Sequence, residues 1–83
     1  MILITFDVDG TLESSGGPVP VARLWELLKT PGIAVALVSP SPARPPGFPE
    51  FIDGDRAENL RRAAMAFPSA LRLYVSDNDD RDA

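Results

Sequence analysis

Three short apolar runs punctuate the chain, and each ends on polar residues. Ile2 to Phe6 (Ile-Leu-Ile-Thr-Phe) and Ile33 to Val38 (Ile-Ala-Val-Ala-Leu-Val) are rich in branched residues with almost no polar interruption. Short unbroken runs of this kind predict strands buried on both faces, as in a parallel sheet. Leu71 to Ser76 (Leu-Arg-Leu-Tyr-Val-Ser) alternates instead, predicting a strand with one less buried face. Strands are therefore expected near 2–7, 33–38 and 71–76, and Phe51-Ile52 leaves room for a short outer strand near 51–53.

Between the runs the periodicity changes. Val21, Leu24, Trp25 and Leu28 recur at helical spacing, with Leu27 widening the stripe, and Pro31-Gly32 stops the segment. Trp25 and the leucines are expected in the core, because one face of this helix must cover the sheet. Farther on, Asp55-Arg-Ala-Glu58 has the spacing of a capping box. Leu60, Ala63, Ala64 and Phe67 follow at i, i+3, i+4 and i+7, and Pro68 closes the helix. Arg61 and Arg62 fall off that stripe and read as a solvated face.

The connections are turn-rich. Glu13 to Pro20 is a glycine- and proline-rich loop, and five of the nine prolines fall between Pro40 and Pro49. So many prolines suppress helix and ladder bonding alike, which predicts a stiff surface connection from Pro40 to Asp53.

Strand, helix, strand in this order is a right-handed crossover unit that sets its strands parallel. The class is α/β, and the carboxyl ends of the strands lie at one edge, where open α/β sheets bind ligands. Asp7, Ser39 and Asp77 each follow a strand, and Arg56 opens the second helix. Asp7 and Asp9 stand two apart, so extended backbone turns them the same way. Carboxylates ~4 Å apart repel by about 4 kcal/mol at an effective dielectric near 20, a strain that a cation or a shared proton relieves. The same five residues, Asp7-Val-Asp-Gly-Thr11, also read as a solvated turn in which Gly10 supplies a positive φ.

Composition narrows the chemistry. The 83 residues make one small domain, 1–83, with neither cysteine nor histidine. Disulfides and thiolate sites are excluded, so a metal must be held by oxygen ligands, which favours magnesium or calcium over zinc. A formal charge of -4 argues against nucleic acid bound through a basic patch. No apolar run reaches the ~18 residues that a membrane span needs, so a soluble, cytoplasmic protein is expected. The acidic stretch Asp77 to Ala83, taken alone, reads as a solvated tail.

Ile2-Leu-Ile-Thr-Phe-Asp-Val-Asp-Gly-Thr-Leu12 resembles the first motif of the haloacid dehalogenase-like (HAD) superfamily, an apolar strand followed by Asp-x-Asp-Gly-Thr. The later segments fall in the family's order: Ser39 after the second strand, Arg56 at the next helix start, and Asp77 and Asp82 after the last strand. The resemblance implies a three-layer Rossmann-like sheet and a Mg²⁺-dependent phosphohydrolase, a phosphatase or phosphotransferase. It makes Asp7 the nucleophile of an aspartyl-phosphate intermediate and Asp9 the general acid and base. Ser39 and Arg56 would grip the phosphoryl oxygens, and Mg²⁺ would be held by Asp7, the Asp9 carbonyl and Asp77. Gly10, Thr11 and Asp82 would support the loops.

The segment between the first two motifs is too short for a cap domain, so the site is expected to be open, suiting a large or protein-borne phosphate or a partner that covers it; the expected substrate is a phosphorylated small molecule or protein. The sequence departs from the family pattern at Pro40, which has no N–H to offer, and at Arg56, where lysine is commoner. The alternative is therefore a HAD-like domain that binds metal or a partner without turnover. The sequence reaches Ala83 without the family's further helix and fifth strand. A truncated sheet is thus expected, with the edge of strand 71–76 open to a homodimer.

Overall fold

The computed structural model describes residues 1–76, so the expectations placed on Asp77 and Asp82 lie outside the described residues. Its five main elements are β1 (Ile2–Phe6), α1 (Val21–Leu28), β2 (Ile33–Leu37), α2 (Arg56–Ala66) and β3 (Leu71–Val75). The strands form one open, all-parallel sheet in the order β2-β1-β3. The first strand is thus the centre, and its register is even on both sides: Phe6 stands beside Leu37 and beside Val75. All three carboxyl ends are therefore level. No helix of the described residues is long and apolar enough to cross a membrane.

Alternation along the strands sorts the core into two clusters. Phe6, Val35 and Leu37 join Leu24 of α1 in one, with Val8, Leu12 and Phe48. Leu3, Ala34 and Ala36 join Ala63 of α2 in the other, with Phe51, Ala64 and Phe67 against them. The small alanines on the second face let α2 approach the sheet closely. Thr5, the one polar residue of β1, is buried and donates its hydroxyl to the Leu73 carbonyl at 3.2 Å.

The helix caps follow the sequence in part. Asp55 accepts from the Glu58 N–H at 2.8 Å, as the spacing predicts. Glu58, however, turns its carboxylate to Arg61 and Arg62. Pro20 has no side chain with which to cap α1, and Glu13 replaces it by accepting from the Val21 N–H at 2.7 Å.

Three expectations need correction. There is no strand near 51–53: Glu50 makes a single parallel bridge to Leu37, through Leu37 N–H to the Pro49 carbonyl and Phe51 N–H to the Leu37 carbonyl. Pro49 has no N–H with which to extend it, and the chain then turns at Gly54 into the α2 cap. Trp25 is 37% exposed, with its ring against Phe48, centroids 4.3 Å apart. β3 is bare on both faces over Leu71, Arg72 and Leu73, because an edge strand beyond the reach of α1 has nothing over its leucines.

The proline-rich stretch is more than a connection. Ser41, Pro45 and Phe48 are buried, and Phe48 belongs to the main core cluster. Gly47 makes the approach possible: its φ is 97°, and a Cβ there would lie 2.7 Å from the Trp25 ring.

Candidate functional site

Backbone hydrogen bonds bind the carboxyl ends of the strands to one another. The Val38 N–H donates to the Phe6 carbonyl at 3.1 Å, and the Asp7 N–H donates to the Val75 carbonyl at 3.0 Å. Asp7 is therefore held between the continuations of β2 and β3, and Ser39 follows directly on one side. A cleft of about 280 Å³ opens here, lined by Asp7, Ser39, Pro40, Arg56 and Tyr74 among others. Residues far apart in sequence meet because parallel strands deliver their ends to the same edge.

Gly54, Asp55 and Arg56 also line the cleft, so the start of α2 opens onto it. A helix start offers unpaired N–H groups and a positive dipole end, both suited to an anion. The Arg56 guanidinium carbon lies 6.0 Å from the centroid of the Tyr74 ring, within cation–π range. Tyr74 thereby gives the cation a fixed wall beside the carboxylate of Asp7.

Asn59 is the residue that sequence reasoning missed. It is 1% exposed, and its amide nitrogen donates to the Val38 carbonyl at 3.1 Å and to the Gly54 carbonyl at 2.9 Å. Its amide oxygen accepts from the Gly54 N–H at 2.9 Å. One side chain thus ties the backbone before Ser39 to the backbone before Arg56. The signal was present: Asn59 stands one turn before Ala63 on the buried stripe, and a polar residue there must be hydrogen-bonded.

Asp9 fares differently from Asp7. Asp7 is half-buried in the cleft wall, Val8 is fully buried in the core, and Asp9 is exposed and not among the cleft-lining residues. The chain turns there: Gly10 has φ 76°, and the Thr11 and Leu12 N–H groups both donate to the Val8 carbonyl. Ser15 braces this turn, donating to the Val8 and Leu12 carbonyls and accepting from the Gly10 N–H at 3.1 Å. Thr11 is buried beneath it.

Among the described residues there is no group of three acidic, histidine or cysteine side chains able to hold a metal. The Asp7 carboxylate and the Asp9 carbonyl are hard oxygen donors of the kind that suits Mg²⁺. The third expected ligand, Asp77, is outside the described residues.

The fold and cleft define a small parallel α/β protein with a carboxylate, a hydroxyl and a guanidinium at the carboxyl edge of its sheet. Neither a protein-family model, nor a curated protein, nor a solved structure matches the chain.

Proposed function

We propose that this chain is a minimal, uncapped HAD-type phosphohydrolase, a Mg²⁺-dependent phosphatase or phosphotransferase. The observation that carries the reading is the convergence of Asp7, Ser39 and Arg56 on one cleft. The strand order supports it as well. A sheet that runs 2-1-3 reverses direction between its first and third strands, and doubly wound sheets bind ligands at that reversal. The separation of Leu24 and Ala63 into clusters built on alternate strand residues supports a three-layer, Rossmann-like arrangement.

In this reading the Asp7 carboxylate attacks phosphorus and the ester P–O bond breaks, leaving an aspartyl phosphate. Asp9, protonated, gives its proton to the departing alkoxide. As a carboxylate it then takes a proton from water, whose oxygen attacks phosphorus and releases phosphate and Asp7. For Asp9 to act, its carboxyl must rotate toward the cleft from its exposed turn. Ser39 and Arg56 hold the phosphoryl oxygens, and the Asn59 bridge fixes their spacing. Asp7, the Asp9 carbonyl and Asp77 would hold Mg²⁺, and the chemistry it would supply when bound is neutralisation of the charge between these acids and a phosphate dianion. Gly10 and Thr11 shape the turn after Asp9, and Asp82, outside the described residues, would support the last loop.

A second reading has its own observation. Pro40 lines the cleft next to Ser39 and has no N–H to donate to a phosphoryl oxygen, which favours a HAD-like domain that binds metal or a partner without turnover. Hydrolysis of an aryl phosphate with and without Mg²⁺ separates the two. The catalytic reading expects metal-dependent turnover that falls by roughly 10³-fold or more in Asp7→Asn. Turnover equal in the native chain and in Asp7→Asn, or no turnover by either, would overturn it.

A further inference from the structure

Beside the cleft, a larger trough of about 460 Å³ runs between α2 and β3. Tyr74 lines both cavities, so the trough continues the cleft over the tyrosine ring. Its floor is Leu3, Thr5 and the Leu73 backbone, and its walls are Leu60, Ala64 and Met65 of α2 and Arg72 of β3, with Arg61 at the rim. Arg56, Leu60 and Ala64 stand four apart, so the helix presents the phosphate-side cation and the apolar wall in one line. Met65 is 69% exposed, an apolar lining left open to water.

The charge of the trough contrasts with the rest of the chain. The protein carries a formal charge of -4, yet the residues lining the trough include two arginines and no acid. Arg61 shares the Glu58 carboxylate with Arg62, whereas Arg72 makes no ion pair among the described residues. A second copy of the chain would bring the same arginines to the same face, so the occupant that complements the trough is apolar and acidic.

We propose that the trough binds the peptide flanking a phosphorylated residue, taking an apolar side chain between Leu60, Ala64 and Met65 and an acidic one beside Arg72. The proposal rests on the reading of the cleft as the phosphate site and assigns its substrate class. The scale fits: from Arg56 to Met65 the helix advances about 13 Å, the length of about four residues of extended peptide. Tyr74 is the hinge between the two parts, a ring on which the residue nearest the phosphate rests.

The test uses the full chain and two readouts. The first is anisotropy of labelled peptides bearing a non-hydrolysable phosphonate, one with Leu and Asp within four positions of it on both sides, the other with Ser and Lys there. The second is the ratio of kcat/KM for the matching phosphopeptide to that for a small aryl phosphate, which reaches only the cleft. The Leu and Asp peptide is expected to bind about tenfold more tightly, as burial of one apolar side chain predicts. Arg72→Glu and Met65→Glu, both at exposed positions, are expected to reduce that preference to about twofold and to lower the kcat/KM ratio in step. Equal binding of the two peptides overturns the trough, and aryl phosphate turnover in that case leaves the catalytic reading standing. A preference that survives Arg72→Glu and Met65→Glu also overturns it. A dimer in light scattering that Met65→Glu dissociates assigns the trough to a second copy and overturns it too. A preference abolished by both variants, with no aryl phosphate turnover, upholds the trough and removes catalysis alone.

Discussion

β2 and β3 flank the same central strand in the same register, yet their outer sides differ. From Ala34 to Leu37 β2 is buried at every position, whereas β3 exposes Leu71, Arg72 and Leu73. The helices, with α1 packed on β2 and out of reach of β3, and the proline-rich stretch together account for the contrast. The stretch returns along the outer side of β2, bridges Leu37 through Glu50, and inserts Phe48 into the core. Among the described residues nothing equivalent covers β3. An edge needs cover, and a chain poor in regular structure supplies it on one side only.

The largest effect that probes this contrast is a pair of truncations. Leu37→Ala removes a fully buried side chain from the main cluster and is expected to cost about 3 kcal/mol, within the range for core leucines. Leu73→Ala, at a position 45% exposed, is expected to cost under about 1 kcal/mol. Urea denaturation of both variants gives the comparison. Equal losses would mean that the α1-side face of β3 is covered in solution by another chain.

The same contrast marks how much was legible in the sequence. Unbroken branched runs identify β1 and β2, because burial on both faces leaves no room for polar residues. Ser39 and Asp7 could be brought together from sequence because parallel strands share a carboxyl edge. The Asp55 cap was equally plain. Phe48 was not, since its burial depends on a loop path that no periodicity encodes. The exposure of β3 was only half visible: alternation predicts one open face, and the strand order, which sets the second, is a property of the whole chain. Asn59 was legible only as a polar position beside an apolar stripe, because its partners, the Val38 and Gly54 carbonyls, are set by the tertiary fold.

A smaller effect sharpens the account of the cover on β2. Arg44 cross-braces the proline-rich stretch: its Nε donates to Glu50 at 3.1 Å and its Nη1 to the Ser41 carbonyl at 2.8 Å. Side chains at 26% and 31% exposure are partly shielded from solvent, so the brace contributes more than a surface pair. Arg44→Ala is expected to cost about 1 kcal/mol. It is also expected to speed amide hydrogen exchange at Leu37 and Phe51, whose N–H groups hold the bridge, while leaving β1–β3 amides unchanged. Uniform acceleration across the sheet would assign Arg44 to global stability and not to the cover.

The smallest effect belongs to the β3 side, where surface charge takes the place of burial. Glu58 lies on α2, hydrogen-bonded and ion-paired to Arg61 and Arg62. The Arg61 hydrogen bond is the main cause that lowers its pKa below the ordinary 4.5, and charge attraction from both arginines adds to it. A carboxylate whose folded pKa is depressed stabilises the fold at pH values above the unfolded pKa, and that contribution fades as pH falls through the folded one. The urea midpoint of the native chain is therefore expected to exceed that of Glu58→Gln by a small margin at pH 6. The margin should narrow as pH falls below about 4.5 and vanish once the carboxyl is protonated in the fold as well. Added salt at pH 6 should shrink it in the same direction, because the group is exposed and its partners are screened. A margin unchanged as pH falls well below 4.5 would show that Glu58 acts through packing, and α2 would then be held on the β3 side as β2 is held on its own, by contact and not by charge.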